Sequence, residues 1–129
     1  MAITIFSSEE YSTVRCSIHV NGRLTFSWGA IDELGLQNKR SIALGKHDDD
    51  RDSKTLCMYV FENYRGDAFR INWSGAYCYI NAKALFDELK YDYANKYIFF
   101  NIVKSPAFDK DQYYKLIYRQ KTRISFSYR

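Results

Sequence analysis

The amino-acid sequence predicts an α+β fold, in which an antiparallel curved sheet or barrel of about eight to nine strands carries two short helices. Apolar and polar residues alternate along most of the chain, which is the pattern of strands with one buried face. The predicted strands follow one another too closely for helical crossovers, so a parallel sheet is disfavoured. The length of 129 residues suits a single domain.

Residues 15–28 are predicted to form a hairpin. Asn21-Gly22 is the turn signal, because both residue types tolerate positive φ. On either side, residues 15–20 and 23–28 alternate as strands. The remaining predicted strands are residues 41–46, 56–62, 68–73, 76–80, 96–104, 112–120 and 122–128.

Two short helices are predicted between these strands. The first covers residues 28–34, with Ser27 as its N-cap and Gly35 as the glycine that ends it. The second covers about residues 82–91, with Asn81 as its N-cap. Both helices contain Asp-Glu-Leu, and the surrounding elements have the same order. This suggests an internal duplication within the single domain 1–129, with repeats at about residues 14–63 and 67–118.

The charge distribution is uneven. The formal net charge of +4 lies entirely in residues 111–129, because basic and acidic residues are equal in number before them. The basic residues of this segment are all odd-numbered: Lys115, Arg119, Lys121, Arg123 and Arg129. Successive side chains alternate in an extended chain, so these cations are predicted to share one face. A bend near Gln120 is expected, since one strand over the whole segment would be unusually long.

A cationic strand face with interleaved tyrosines favours nucleic-acid binding, because cations attract phosphates and aromatic rings stack on bases. The predicted function is therefore non-enzymatic nucleic-acid binding, with transcriptional regulation as the candidate role. The predicted phosphate contacts are Arg119, Lys121 and Arg123, supported by Lys115, Arg129, Arg23 and Arg15, with Tyr118 or Tyr128 for stacking. Further tyrosines expected at the surface are Tyr11, Tyr64, Tyr91, Tyr93 and Tyr113.

An alternative interpretation is an amphipathic edge strand whose solvated cations discourage aggregation. In that case the protein is an interaction or structural module, and its C-terminal strand pairs with a partner or with a second copy in a homodimer.

Several other classes are disfavoured. No phosphate-loop, nucleophile-elbow or zinc-protease motif occurs, so no enzyme activity, catalytic residue or cofactor is predicted. The acidic loop at residues 47–52 lacks calcium-loop spacing, so no metal site is predicted. Cys16, Cys57 and Cys78 suit buried, reduced thiols in a cytoplasmic protein. No run approaches the ~18 apolar residues of a membrane span, and no membrane partner is expected.

Residues 15–61 resemble the AbrB/MazE-like swapped-hairpin DNA-binding domains. The similarity rests on Gly22-Arg23-Leu24-Thr25-Phe26, on Leu34-Gly35-Leu36 at the end of the helix, and on the strand containing Ile42 and Leu44. The resemblance implies DNA binding and places Arg23 at a position that is basic in the family. Two later family positions that are often basic are Ile31 and Asp32 here. A looser analogy is to Whirly- and Pur-type folds, which bind single-stranded nucleic acid on a curved sheet.

Overall fold

The computed structural model describes residues 2–5, 12–46, 54–105 and 112–122. Within these ranges the chain forms nine antiparallel strands and two short α-helices, which confirms the predicted fold class. The strands are β1 (Arg15–Ile18), β2 (Arg23–Phe26), β3 (Ser41–Gly45), β4 (Leu56–Phe61), β5 (Phe69–Arg70), β6 (Asn72–Ser74), β7 (Tyr77–Asn81), β8 (Lys96–Lys104) and β9 (Tyr114–Thr122). The helices are α1 (Trp28–Leu34) and α2 (Lys83–Glu88), and a 3₁₀ turn covers Leu36–Asn38.

The sheet is nearly closed into a barrel. Its strand order is β5-β3-β4-β9-β8-β1-β2-β7-β6, so the two outermost strands are consecutive in the chain. β5 pairs with β3, and β6 pairs with β7. Ile71 is the single residue between β5 and β6. The Ile71 N–H donates to the Arg40 carbonyl at 3.0 Å. One bent segment thus contacts both ends of the sheet, where the sequence predicted an unbroken strand.

The two halves of the chain are interleaved in this sheet. The element order β1, β2, α1, β3, β4 recurs as β5 with β6, then β7, α2, β8, β9. Strands at equivalent places pair across the halves, β2 with β7 and β4 with β9. The duplication and its repeat boundaries stay predictions.

The core lies on the inner side of the sheet. The even-numbered residues of β1 and β2 and those in the middle of β8 are buried there, and Phe26 and Phe100 are the largest of them. From α2, Phe86 enters the same core and packs on Tyr91, with ring centroids 5.9 Å apart. Such rings bury large apolar areas efficiently, which suits a small β-rich domain.

Local signals fix α1 as the sequence predicts. The Ser27 hydroxyl accepts a hydrogen bond from the Ala30 N–H at 3.2 Å, and Gly35 ends the helix with φ of 62°. A positive φ costs glycine little, since it has no Cβ. The predicted bounds of this helix are confirmed.

The predicted cap and length of α2 are wrong. Asn81 is the last residue of β7 and pairs with Arg23 of β2, so its backbone belongs to the sheet. Ala82 occupies the N-cap position without a side-chain hydrogen bond, and the helix ends at Glu88. The ladder between β2 and β7 therefore overrides the local capping preference of asparagine.

Two further expectations are corrected. β9 runs unbroken through Gln120 and lies between β4 and β8, which excludes both the predicted bend there and the edge-strand interpretation of residues 114–116. Three of the tyrosines expected at the surface are buried: Tyr91, Tyr93 and Tyr113. Tyr64 is exposed as expected, and Tyr11 lies outside the described residues.

Candidate nucleic-acid interface

Five neighbouring strands, β9, β8, β1, β2 and β7, present one outward surface. Residues directly opposite each other in a ladder lie on the same side of a sheet. Arg119 is opposite Phe99, which is opposite Ser17, and Ser17 is opposite Thr25 of β2. These residues all have the odd parity predicted for the cationic side. We call this surface the basic face; its cations are Arg15, Arg23, Lys115, Arg119 and Lys121.

Aromatic rings lie beneath the cations of the basic face. The Arg15 guanidinium is 5.4 Å from the centroid of the Phe99 ring, and the Lys121 ammonium is 5.8 Å from the same centroid. Tyr97 packs beside Phe99 with centroids 5.3 Å apart, and its hydroxyl is 2.9 Å from the Ser17 hydroxyl. Phe99 is only 7% exposed although it points outward. The cationic side chains therefore cover it with their apolar stems while their charged heads remain near water.

A groove of about 360 Å³ lies on the β2–β7 part of the basic face. The Arg23 guanidinium stacks over the Tyr79 ring at 4.3 Å, and His19 and Tyr77 also line the groove. Tyr77 contacts Trp28 with ring centroids 5.4 Å apart. Trp28 is 55% exposed and Tyr77 51%, so this pair offers ring faces to solvent next to a cation.

The electrostatic character of the basic face is of one sign. The basic face has five cations, and its five strands contain, over their described lengths, no aspartate or glutamate. Two further cations of these strands, Lys96 and Lys104, are even-numbered and lie on the opposite side of β8. Cations on a continuous surface without acidic residues create a positive potential, which attracts polyanions and weakens with added salt.

The structure brings only part of the predicted site together. Arg15 and Arg23 join Arg119 and Lys121 on the basic face, whereas Lys115 lies towards its β4 side, opposite Cys57. Tyr118 is on the inner side of β9 and packs on Phe100 with centroids 5.9 Å apart, so its ring is turned away from the basic face. The other predicted residues, Arg123, Tyr128 and Arg129, lie outside the described residues.

Sequence reasoning missed most of the aromatic part of the site. The missed residues are Trp28, Tyr77, Tyr79, Tyr97 and Phe99. Trp28 begins α1, and the other four are odd-numbered residues of β7 and β8. Their parity is visible in the sequence, but their place beside the cations depends on strand order. The absence of acidic residues from these segments is a sequence signal that could have indicated them.

The buried thiols are poorly suited to nucleophilic chemistry. Burial raises the pKa of Cys78 to about 12 and raises that of Cys16 as well, which leaves both protonated near neutral pH. Cys16 faces the core, whereas His19 is exposed. Across the described ranges, no cluster of three or more His, Cys, Asp or Glu side chains lies together; the acidic loop at 47–52 is outside them.

The protein is therefore a barrel-like antiparallel sheet whose outer surface carries cations beside aromatic rings. In the described part of the chain, neither helix has the length and apolar character needed to cross a bilayer. No protein-family model, curated protein or solved structure matches the chain. The resemblance of residues 15–61 to swapped-hairpin domains therefore stays a prediction.

Proposed function

We propose that this protein binds nucleic acid through the basic face, without enzymatic activity, and that transcriptional regulation is the role this binding serves. The observation that carries the proposal is the basic face itself, which has five cations on adjacent strands that contain no acidic residue in their described lengths. A phosphate backbone supplies closely spaced negative charges, and neutralising them releases counterions.

The aromatic residues support nucleic acid over other polyanions. Stacking on an aromatic side chain contributes about 1–3 kcal/mol per base. Trp28 and Tyr77 expose ring faces, and the neighbouring groove holds Arg23 over Tyr79. A base stacked at this pair would have its phosphate near a cation.

The test measures fluorescence anisotropy of labelled single- and double-stranded oligonucleotides over a range of salt concentrations. The variant Arg23→Glu/Lys121→Glu reverses two exposed cations of the basic face. We expect its Kd to rise at least about tenfold at about 50 mM salt, and its salt slope to fall by about 1.5–2 because two phosphate contacts are lost.

The matched control is Arg65→Glu/Lys90→Glu, which changes the net charge equally at exposed positions outside the basic face. Its Kd should stay within about threefold of the parent protein, a shift that long-range charge alone explains. Absence of binding to either oligonucleotide at low salt, or equal losses in the two variants, would refute the proposal.

The alternative, pairing of the C-terminal strand with a partner, requires a free strand edge. Residues 114–116 already pair with β4 on one side and β8 on the other. A partner strand would have to displace β4 there, so strand pairing is disfavoured at residues 114–116. The ladder of residues 117–122 is with β8, so this part of β9 is where the alternative would apply.

A further inference from the structure

A second cationic site lies where the barrel closes, around a pocket of about 370 Å³. We call it the anion pocket, and its lining includes Lys39, Arg40, Tyr64, Arg70 and Trp73. None of them belongs to the basic face, so the inference below does not depend on the proposed function.

Two guanidinium groups lie against one exposed ring in this pocket. The Arg40 guanidinium is 5.6 Å from the centroid of the Tyr64 ring, and that of Arg70 is 5.1 Å from it. Arg40 also donates to the Tyr64 hydroxyl at 3.5 Å. The two cations lower the pKa of the Tyr64 phenol, chiefly through the Arg40 hydrogen bond. Both guanidinium groups therefore lie beside the same tyrosine ring.

The backbone holds these side chains in place. The Arg40 N–H donates to the Phe61 carbonyl at 2.9 Å, and the Arg40 carbonyl accepts from Ile71. Arg70 is opposite Ser41 in the β3–β5 ladder, and the Ser41 hydroxyl donates to the Asn63 carbonyl at 2.6 Å, next to Tyr64. Three elements thus converge through main-chain contacts, which reduces the ordering cost of binding a ligand.

The two arginines of the pocket, unlike its lysine, have no acidic partner among the described residues. Lys39 pairs with Glu62 at 3.4 Å at the rim. Among the described residues, neither Arg40 nor Arg70 forms an ion pair with an acidic side chain. Like charges held together without a counterion repel each other, and a bound anion would relieve that repulsion.

We infer that the anion pocket binds a phosphate group, with Arg40 and Arg70 donating to the phosphoryl oxygens. The planar guanidinium fork matches phosphate geometry, and its charge-assisted hydrogen bonds are strong. The pocket is larger than one phosphate ion requires and lies in the range of small-ligand sites. Trp73 is 40% exposed at its wall and offers a ring on which a nucleobase attached to the phosphate can stack. The phosphate can come from a free nucleotide or from the end of a nucleic-acid strand.

The test uses Trp73 as its own reporter. The chain contains two tryptophans, so the Trp28→Phe protein carries Trp73 alone. Its fluorescence is titrated with adenosine monophosphate, adenosine, inorganic phosphate, and an oligonucleotide with or without a 5′-phosphate. We expect a saturable change with adenosine monophosphate at a concentration at least about tenfold below that needed for adenosine.

Arg40→Gln and Arg70→Gln should each raise the Kd of adenosine monophosphate about tenfold or more. The control is Arg65→Gln, because Arg65 is exposed, neighbours Tyr64 in the chain and forms its ion pair with Asp67. The Kd of this variant should stay within twofold of the parent. Circular dichroism and the melting temperature verify that each variant is folded.

Equal affinities for inorganic phosphate and adenosine monophosphate would support a phosphate site without a base contact. Preference for the 5′-phosphorylated oligonucleotide over both the unphosphorylated oligonucleotide and adenosine monophosphate would support a strand end as the source. No response to any phosphate at millimolar concentration, equal binding of adenosine, or unchanged affinity in the folded Arg70→Gln protein would overturn the inference. Such a failure would leave the proposed function standing, because binding at the basic face is tested with a different variant, Arg23→Glu/Lys121→Glu.

Discussion

Replacing Ser27 with alanine tests how the start of β1 is joined to α1. The Ser27 hydroxyl accepts from the Ala30 N–H and from the Arg15 N–H, both at 3.2 Å, and donates to the Thr13 carbonyl at 2.5 Å. One side chain therefore caps the helix and anchors the strand that carries Arg15. Alanine would remove all three hydrogen bonds and leave the half-buried backbone around Arg15 less well satisfied.

The expected loss of stability is about 2–4 kcal/mol. A lost N-cap costs about 1 kcal/mol, and each of the other two hydrogen bonds contributes about 0.5–1.5 kcal/mol. The assay is urea unfolding followed by circular dichroism, with the m-value expected to stay unchanged because the same surface is exposed. Ser27→Asp should recover about 1 kcal/mol, since a carboxylate can cap α1 but cannot donate to the Thr13 carbonyl.

Ser12→Ala is the matched control, because the Ser12 hydroxyl accepts a single hydrogen bond, from the Val14 N–H at 3.2 Å. It should cost at most about 1 kcal/mol. Equal losses for the two serine-to-alanine variants would refute the argument that Ser27 joins two elements.

Three other predictions follow from the packing and the titratable groups. Gly29→Ala should destabilise the protein by about 1–3 kcal/mol in the same urea assay, because the new methyl group would overlap the Thr13 carbonyl; a gain, as in an open helix, would contradict this. Hydrogen bonds from Lys83 and Tyr93 hold the pKa of Asp87 below its ordinary value of 3.8, so the stability they confer is complete above that pH and is lost as the pH falls through the lowered pKa. Lys83→Met should raise the Asp87 pKa in an NMR titration, and an unchanged value would show that the ion pair does not form. Native protein should react negligibly with Ellman's reagent at neutral pH, whereas unfolded protein should expose its three thiols; rapid labelling of a native thiol would refute its burial.

The first helix could be predicted residue by residue because its signals are local. Ser27 and Gly35 act within one turn of the helix ends, and no other element competes for their backbone groups in a way that shifts the bounds. The strand at residues 96–104 was equally clear, since its β-branched and aromatic residues suit a strand buried on both sides.

Non-local contacts explain what the sequence did not reveal. Asparagine is a residue type that favours helix N-caps, but Asn81 lies opposite Arg23 in a ladder with a strand far away in the sequence. Tyr91 neighbours charged residues along the chain, yet its hydroxyl donates to the Lys54 carbonyl at 2.8 Å and its ring packs in the core. Neighbours in sequence could not indicate these partners.

The candidate site also has a part that the sequence predicted and a part that only the strand order reveals. Parity alone placed Arg119 and Lys121 on one side of their strand, because alternation is a local property of extended chain. Their union with Arg15 and Arg23 required the order β9-β8-β1-β2, which pairs strands from the two ends of the chain. The duplication stays a prediction, and the pairing of β2 with β7 and of β4 with β9 could not be read from the sequence.

Folding alone does not require the basic face to be of one sign. The alternation of β9 requires only that Arg119 and Lys121 be polar enough to face outward, and acidic residues or threonine would satisfy it equally. Soluble surfaces usually mix both signs, because like charges on one surface repel each other and lower stability. Contacts of Arg15 and Lys121 with Phe99 offset part of that repulsion but do not remove the charge. A phosphate backbone would neutralise it, which is why we expect the Arg23→Glu/Lys121→Glu variant to lose binding without losing stability.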